Sequence, residues 1–318
     1  MKVKMNCSFA ILFALTLLFL PLSSVQADTK MIRIGASSAG GGYFVCSGAI
    51  ASILDAEGMD ARVQTTGGGR QNAILAHMDR VDLGLTNNIE AYEEWQKNDR
   101  KNMRSVMAIF KGVHHFVVRA DSQVNDLKDL DGKAFGLTSK GSTHDVAGRQ
   151  VFDILGIKPK LRNAGKTDSN NMVRDGLLVG YFFTSGIPMP FLMELESTTK
   201  LRYLSFTDEQ YAKVKELAPW LSQEVMPAGS YKYLDRDIKS FGSWNVMVAS
   251  KDVSDELMYN MLKAIFKNAG AVTQAYRPAK GFDKDLNSKV SNLVLPLHPG
   301  AVKFYQEQGV DVPKRLIP

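Results

Sequence analysis

Short β-type runs alternate with helical stripes along most of this 318-residue chain, and run after run ends in a polar or glycine-rich loop that opens a helix. Met31 to Ile34 reads as a strand, Gly40-Gly41-Gly42 as a loop, and Val45, Cys46, Ala49, Ile50, Ile53 and Leu54 as one helical face. Ala61 to Gln64 is a second strand, after which Gly67-Gly68-Gly69 opens a helix through Met78. Asp82 to Leu85 is a third, ending at Thr86-Asn87-Asn88. This alternation predicts α/β layers. In open parallel sheets ligands collect at the carboxyl ends of strands, so the loops are where function is expected.

A second round begins near Asp131. Lys133 to Leu137 is a strand, Ser139 to Thr143 a loop, and Val146, Ala147, Val151, Ile154 and Leu155 the inner stripe of a helix that Gly156 ends. Val179 to Phe183 and Leu201 to Ser205 continue as strands. His115 to Arg119 and Val246 to Ala249 are extended, apolar segments linking the two rounds, and a strongly amphipathic helix carrying Leu257, Met258, Met261, Leu262, Ile265 and Phe266 follows. Two similar units joined by extended crossovers predict two α/β lobes with a ligand cleft between them. The expected boundaries are 28–117 plus 245–318 for a discontinuous first lobe and 118–244 for the second.

The amino terminus sets the expected compartment. Lys2 and Lys4 precede an apolar run from Phe9 to Leu20, and Val25-Gln26-Ala27 is a small-residue cleavage signal. The run falls short of the roughly 20 apolar residues a bilayer crossing needs. Residues 1–27 are therefore expected to be a signal peptide and the mature chain to be periplasmic. Cys7 precedes the apolar run and is badly placed for lipidation. Cleavage leaves Cys46 alone, so no internal disulfide is expected. It also removes Lys2 and Lys4, taking the formal charge from +6 to +4. That mild charge, without a basic stripe, argues against nucleic acid as a partner.

Catalytic signatures are missing from the sequence. No G-x-S-x-G elbow, P-loop or H-E-x-x-H motif occurs. His114 and His115, adjacent on a strand, point to opposite faces and cannot chelate one metal together. No catalytic residue, metal or cofactor is expected, and Cys46 reads as a packed small hydrophobe.

The loops carry the candidate binding residues. Gly41, Gly42, Tyr43 and Phe44 lie between a strand and a helix, where backbone amides and the helix terminus suit a carboxylate or phosphate. One of the two aromatics is expected to face the cleft. Gly69, Arg70 and Asn72 form a similar loop, with Arg70 able to fork onto a carboxylate. Lys140, Gly141, Ser142 and Thr143 repeat the pattern in the second round. Thr86, Asn87 and Asn88 either contact ligand or cap the helix that begins near Ile89. Ser185, Gly186 and Pro188 close another strand end, with Pro188 suited to a first helical turn.

These residues resemble a known family, the TAXI receptors (TRAP-associated extracytoplasmic immunogenic proteins) of tripartite ATP-independent periplasmic transporters, over essentially the whole mature chain. Gly41-Gly42-Tyr43-Phe44 followed by Gly48-Ala49-Ile50-Ala51 is similar to the family's G-T-Y-Y-P-x-G-G-A-I-A stretch. Gly67 to Asn72 resembles its G-G-S-x-x-N loop, and Asp129 to Lys133 with Gly141-Ser142-Thr143 the start of its second lobe. Arg174-Asp175-Gly176 and Gly186-Ile187-Pro188 resemble its R-D-G and G-x-P elements. Pro296-Leu297-His298-Pro299-Gly300-Ala301, with Tyr305 and Glu307 beyond, is similar to its terminal P-L-H-P-G-A-x-x-Y-x-x-E signature.

The resemblance implies a periplasmic binding protein-like (type II) fold. It also implies a small organic solute delivered to TRAP membrane subunits; the chain is expected to be a monomer and, without catalytic signatures, not an enzyme. The solute class implied is anionic: an amino acid, dicarboxylate or keto acid. The alternative is a periplasmic sensor or enzyme on the same fold. The chain departs from the family pattern where Gly42 replaces threonine, Phe44 tyrosine, Val45 proline and Gly69 serine, and where Thr86-Asn87-Asn88 replaces Q-S-D. His298 is expected to be structural.

Overall fold

The computed structural model describes Met1 and residues 31–318, apart from Ser38, Gly40, Ser139, Pro219 and Asp283. The expected signal segment, Gly40 of the first loop and Ser139 of the second lie outside the described residues.

Three strand–loop–helix units open the described chain: β1 (Ile32–Gly35) and α1 (Gly42–Ala56), β2 (Ala61–Gln64) and α2 (Gly69–His77), β3 (Leu83–Asn87) and α3 (Asn88–Gln96). A long strand, β4 (Met103–Arg119), then carries the chain onward. The second round comprises β5 (Ala134–Leu137), α4 (Thr143–Leu155), β6 (Lys160–Asn163), α5 (Lys166–Arg174), β7 (Gly180–Ser185) and α6 (Pro190–Thr198). It continues through β8 (Leu201–Tyr203), α7 (Asp208–Leu217) and β9 (Ser222–Met226). The chain returns along β10 (Ile238–Ser250) and ends in α8 (Asp255–Lys267), α9 (Ala269–Ala275), α10 (Leu286–Ser291) and α11 (Pro299–Glu307).

Local chemistry explains several boundaries. The Asn87 side chain accepts from the Ile89 amide at 3.0 Å, so Asn87 caps α3. Ser142 caps α4, and Gly156 ends that helix in the left-handed region, at φ 71°. Ser254 caps α8, whose first turn holds Asp255 and Glu256 and whose last holds Lys267, matching the helix dipole. Pro188 departs from expectation: it follows a cis peptide bond, and the first turn of α6 is supplied two residues later by Pro190.

The strands form one sheet in the order β2-β1-β3-β10-β4-β7-β5-β6, with β8 added to β4 and β9 to β10. The flanks β2-β1-β3 and β7-β5-β6 are parallel, whereas β10 and β4 are antiparallel to each other and to their neighbours β3 and β7. The two central strands change partners midway. β4 pairs with β10 from Met103 to Val113, then with β7 from Val113 to Val118. β10 pairs with β9 from Ile238 to Gly242 and with β3 from Asn245 to Ala249. The two long strands, paired with each other, thus join the flanks: β10 borders the first through β3 and β4 the second through β7.

The buried apolar side chains divide along the same line. One core draws on residues 32–110 and 246–316, centred on Ile34, Ile50, Leu54, Met107, Val248, Met261 and Tyr305. Two others draw on residues 113–241, and into one of them α3 of the opposite half inserts Ile89. The terminal motif ties α11 back to the first core. His298 caps α11, its Nε2 lies 2.9 Å from the Val253 carbonyl, and the Tyr305 hydroxyl donates to the Val106 carbonyl.

Candidate functional site

The carboxyl ends of the parallel strands converge on a cavity of about 290 Å³. The loop after β1 supplies Gly41, Gly42 and Tyr43, and the loop after β2 supplies Gly67, Gly68 and Gly69. From the other flank come Thr138, Ser142, Thr143 and His144 after β5, Lys166 after β6, and Thr184 and Ser185 at the end of β7. The long strands contribute Phe110 and Asn245, and Tyr276 closes the wall after α9.

Three helices point amino termini at this space without a side-chain cap. Gly41, Gly68 and Gly165 occupy the N-cap positions of α1, α2 and α5, and none has an oxygen to spend on the first-turn amides. Such ends favour an anion. Lys166, the first residue of α5, adds the full charge. Much of its side chain is exposed, yet its ammonium is enclosed enough that burial lowers its pKa. It lies 5.4 Å from the Phe183 ring centroid, and no acid pairs with it among the described residues.

The walls are aromatic and mostly neutral. Phe110 meets Tyr276 edge-on at 5.0 Å and Tyr43 at 6.3 Å. The Tyr43 hydroxyl donates to Asn245 Oδ1 at 2.7 Å, and Asn87 Nδ2 donates to Ser243 Oγ at 2.9 Å beside it. Burial pushes the Tyr276 phenol up to about 12 and raises that of Tyr43 strongly, so both stay protonated donors near neutral pH. His144 stacks on Phe183 at 4.0 Å and its Nδ1 accepts from the Thr184 amide. Burial, with the charges of Lys166 and His114, pushes His144 down to about 3, so its ring is neutral.

The expected binding residues divide sharply. Gly41, Gly42, Tyr43, Gly69, Ser142, Thr143 and Ser185 line the cavity. Phe44, the next residue on α1, does not. Arg70 is turned away, because Nη1 meets Glu94 and Nη2 meets Glu93, each at 2.5 Å, and those two acids of α3 occupy its fork. Asn72 is fully buried and donates to the Ala36 and Leu85 carbonyls, which ties the ends of β1 and β3. Thr86 is buried 3.4 Å from Glu90, Asn87 caps α3, and Asn88 donates to the Asn292 carbonyl. Lys140 is exposed outside the lining, and the Gly141 amide donates to Asp145. Gly186 packs against Pro278, and neither it nor Pro188 reaches the cavity wall.

Sequence reasoning missed Ser37, Phe110, Thr138, His144, Lys166, Phe183, Asn245 and Tyr276. Lys166 had a legible signal: Gly165 precedes it at a strand-to-helix turn. Tyr276 had none, since it arrives from a segment distant in sequence.

Two glycines of the lining stand where a side chain would collide. A Cβ on Gly42 would fall 2.6 Å from the Tyr276 hydroxyl, and one on Gly69 would overlap a carboxylate oxygen of Glu90. These are two positions where the resembled family carries threonine and serine. Here a phenol and a carboxyl from elsewhere fill that space.

A larger cavity of about 410 Å³ lies by Tyr92, Trp220, Asn292 and Arg315. Arg315 there donates to the Leu293 and Ser291 carbonyls, and none of the parallel strand-end loops reaches it. It has no comparable converging chemistry. Among the described residues no group of three or more His, Cys, Asp or Glu is placed to hold a metal ion, and no helix is long and apolar enough to cross a membrane.

Comparison with known proteins adds the family context. The model of the NMT1-like family matches residues 34–309. Among solved structures, XAC2383 from Xanthomonas citri bound to ATP is similar at 13% identity and a TM-score of 0.50, covering 87% of this chain and 94% of that one. The arginine-, lysine-, histidine-binding protein ArtJ from Geobacillus stearothermophilus is similar at 14% identity and a TM-score of 0.50, covering 79% and 96%. At such identities the likeness concerns the fold. The fold is that of periplasmic binding proteins: two α/β lobes, extended hinge strands and a cleft.

Proposed function

The chain belongs to the NMT1-like family, and from that membership and the chemistry of the cleft we propose that it is an extracytoplasmic solute receptor for a small organic anion. The observation that carries the reading is the convergence of Lys166 with the uncapped amino termini of α1, α2 and α5 between aromatic walls. A carboxylate takes the amides and the ammonium, and its organic body lies against Phe110, Phe183 and Tyr276. Amino acids, dicarboxylates and keto acids have this chemistry.

The lobes act as 28–117 plus 245–318 and 118–244. Solute enters between them, β4 and β10 flex where they change partners, and the closed form docks on membrane subunits. The terminal motif around His298 and the loop motifs favour subunits of the TRAP type. The receptor works as a periplasmic monomer after removal of residues 1–27.

Mass spectrometry of small molecules released from protein purified from its native cells should find one organic anion per chain. Membrane vesicles carrying the transporter subunits should then take up that solute with the receptor and an ion gradient, without ATP. Uptake requiring ATP would refute the TRAP assignment, and chemical turnover of the solute would refute a receptor role.

A further inference from the structure

Glu90, on the first turn of α3, is an acid directly behind the cavity wall that the receptor reading leaves unused. Its side chain is fully buried. Oε1 has no hydrogen-bond partner, and Oε2 has the Thr86 hydroxyl at the long distance of 3.4 Å. A buried carboxyl oxygen without a donor is costly, which marks it as a group kept for something other than stability.

Its surroundings place it against the ligand space. The carboxyl occupies the position that a side chain on Gly69 would take, and Gly69 is part of the cavity lining. From α4 of the other flank the Thr143 hydroxyl, also in the lining, stabilises its charge, and its charge is felt by Tyr43 of α1. Arg70 of α2 is the nearest cation, but its fork is taken by Glu93 and Glu94. The groups facing Glu90 are therefore Tyr43, Arg70, Thr86, Thr143 and the Asn87 amide, and none neutralises it by a direct ion pair. Burial accordingly pushes the carboxyl up to about 7.

Deepening the receptor reading, on which it rests, we propose that Glu90 is the specificity-determining residue of the cleft, selecting anions that also carry an amino group over plain carboxylates. Lys166 and the helix termini hold the acid end. The ammonium donates to Glu90 past Gly69, where no side chain intervenes. The proton that Glu90 holds near neutral pH leaves to solvent as the ligand's positive charge arrives, so binding and ionisation are linked. A plain acid brings no donor and leaves Oε1 unpaired.

Matched pairs isolate the amino group: L-glutamate with glutarate, and L-phenylalanine with 3-phenylpropanoate. Calorimetric titration of the wild-type chain and of Glu90→Gln at pH 7, in two buffers of different ionisation heat, reads both affinity and proton exchange. The wild type is expected to favour the amino member of whichever pair binds by about tenfold or more, with proton release. Glu90→Gln, which keeps the shape, should bring that ratio within about threefold and abolish the proton release. A melting curve of each variant verifies that it is folded, and Glu90→Leu gives a second neutral replacement if Gln does not fold.

Preference for the plain acid in the wild type, or an unchanged ratio in a folded Glu90 variant, would overturn the assignment while leaving the receptor intact. No binding of any of the four compounds by the wild type would overturn this assignment together with the amino-acid and dicarboxylate ligand classes of the receptor reading.

Discussion

Glu90 and Gly69 form a coupled pair, and the coupling is measurable without any ligand. Adding a methyl group at Gly69 forces it against the Glu90 carboxyl and, at 3.3 Å, against the Thr86 Cα. Gly69→Ala should cost about 1–3 kcal/mol, as overpacking does. Much of that should return in the Glu90→Ala background, and a double-mutant cycle of urea melts checks it. Strict additivity would contradict the packing. Glu90 also has a signature in pH. Its folded pKa is raised from 4.5 to about 7, so the folded state holds the proton more tightly than the unfolded chain. The stability it contributes is complete below pH 4.5 and is lost as pH rises through about 7. Glu90→Gln should therefore gain about 1–3 kcal/mol relative to wild type at pH 8 and little at pH 4.5.

The residue scale is also where sequence reading reached least. Arg70 looked like a fork for carboxylate, but the acids that occupy it, Glu93 and Glu94, lie a helix away, and nothing local announces the pairing. Glycine loops were legible as openings. What fills the opening depends on the fold, as Tyr276 over Gly42 shows.

Elements were more legible, because periodicity and caps are local. Ala61–Gln64 is the strand expected, and Gly156 ends α4 as expected. The full reach of β4, of which only His115 to Arg119 read as extended, was not. β6, α5, α7 and β9 were missed as well, and α6 was placed two residues early. β6, with the sequence Lys-Leu-Arg-Asn and an exposed face, has little hydrophobic alternation. β4 also carries a second pH effect. His115 is held between the Val113 carbonyl and the Tyr231 hydroxyl, whereas neither ring nitrogen of His114 has a partner. Burial pushes His114 to about 3 and His115 to about 4, each from 6.5. A depressed base contributes stability that is present above its unfolded pKa and lost as pH falls through the folded one. Denaturant melts should thus show stability declining below about pH 6.5 from these histidines, opposite in sign to Glu90. His114→Phe should flatten the decline and cost little at neutral pH, because it removes two unpaired buried polar atoms. An unchanged acid slope would show that His114 is not buried and neutral.

For the whole molecule, the alternation of strands and glycine loops predicted two α/β units with a cleft, and that architecture is the observed one. The sheet order was not readable, because it depends on which strands return to the centre, and β10 arrives from the far end of the second round. Contacts between the two halves now have names. Ile89 enters the core of the other half, and Tyr92 stacks on Trp220 with ring centroids 4.7 Å apart. Ligand that binds only the closed, folded form should raise the melting temperature with concentration.

The central claim, that Lys166 and the helix termini around it take an organic anion, is tested most directly by titrating the co-purified solute into three chains: wild type, Lys166→Ala and Arg70→Lys. Loss of the ammonium should weaken binding about tenfold or more, as for a charge-assisted hydrogen bond, while Arg70→Lys, which keeps the charge behind the wall, stays within about threefold of wild type. Unaltered affinity in Lys166→Ala, with affinity lost in Arg70→Lys, would contradict it.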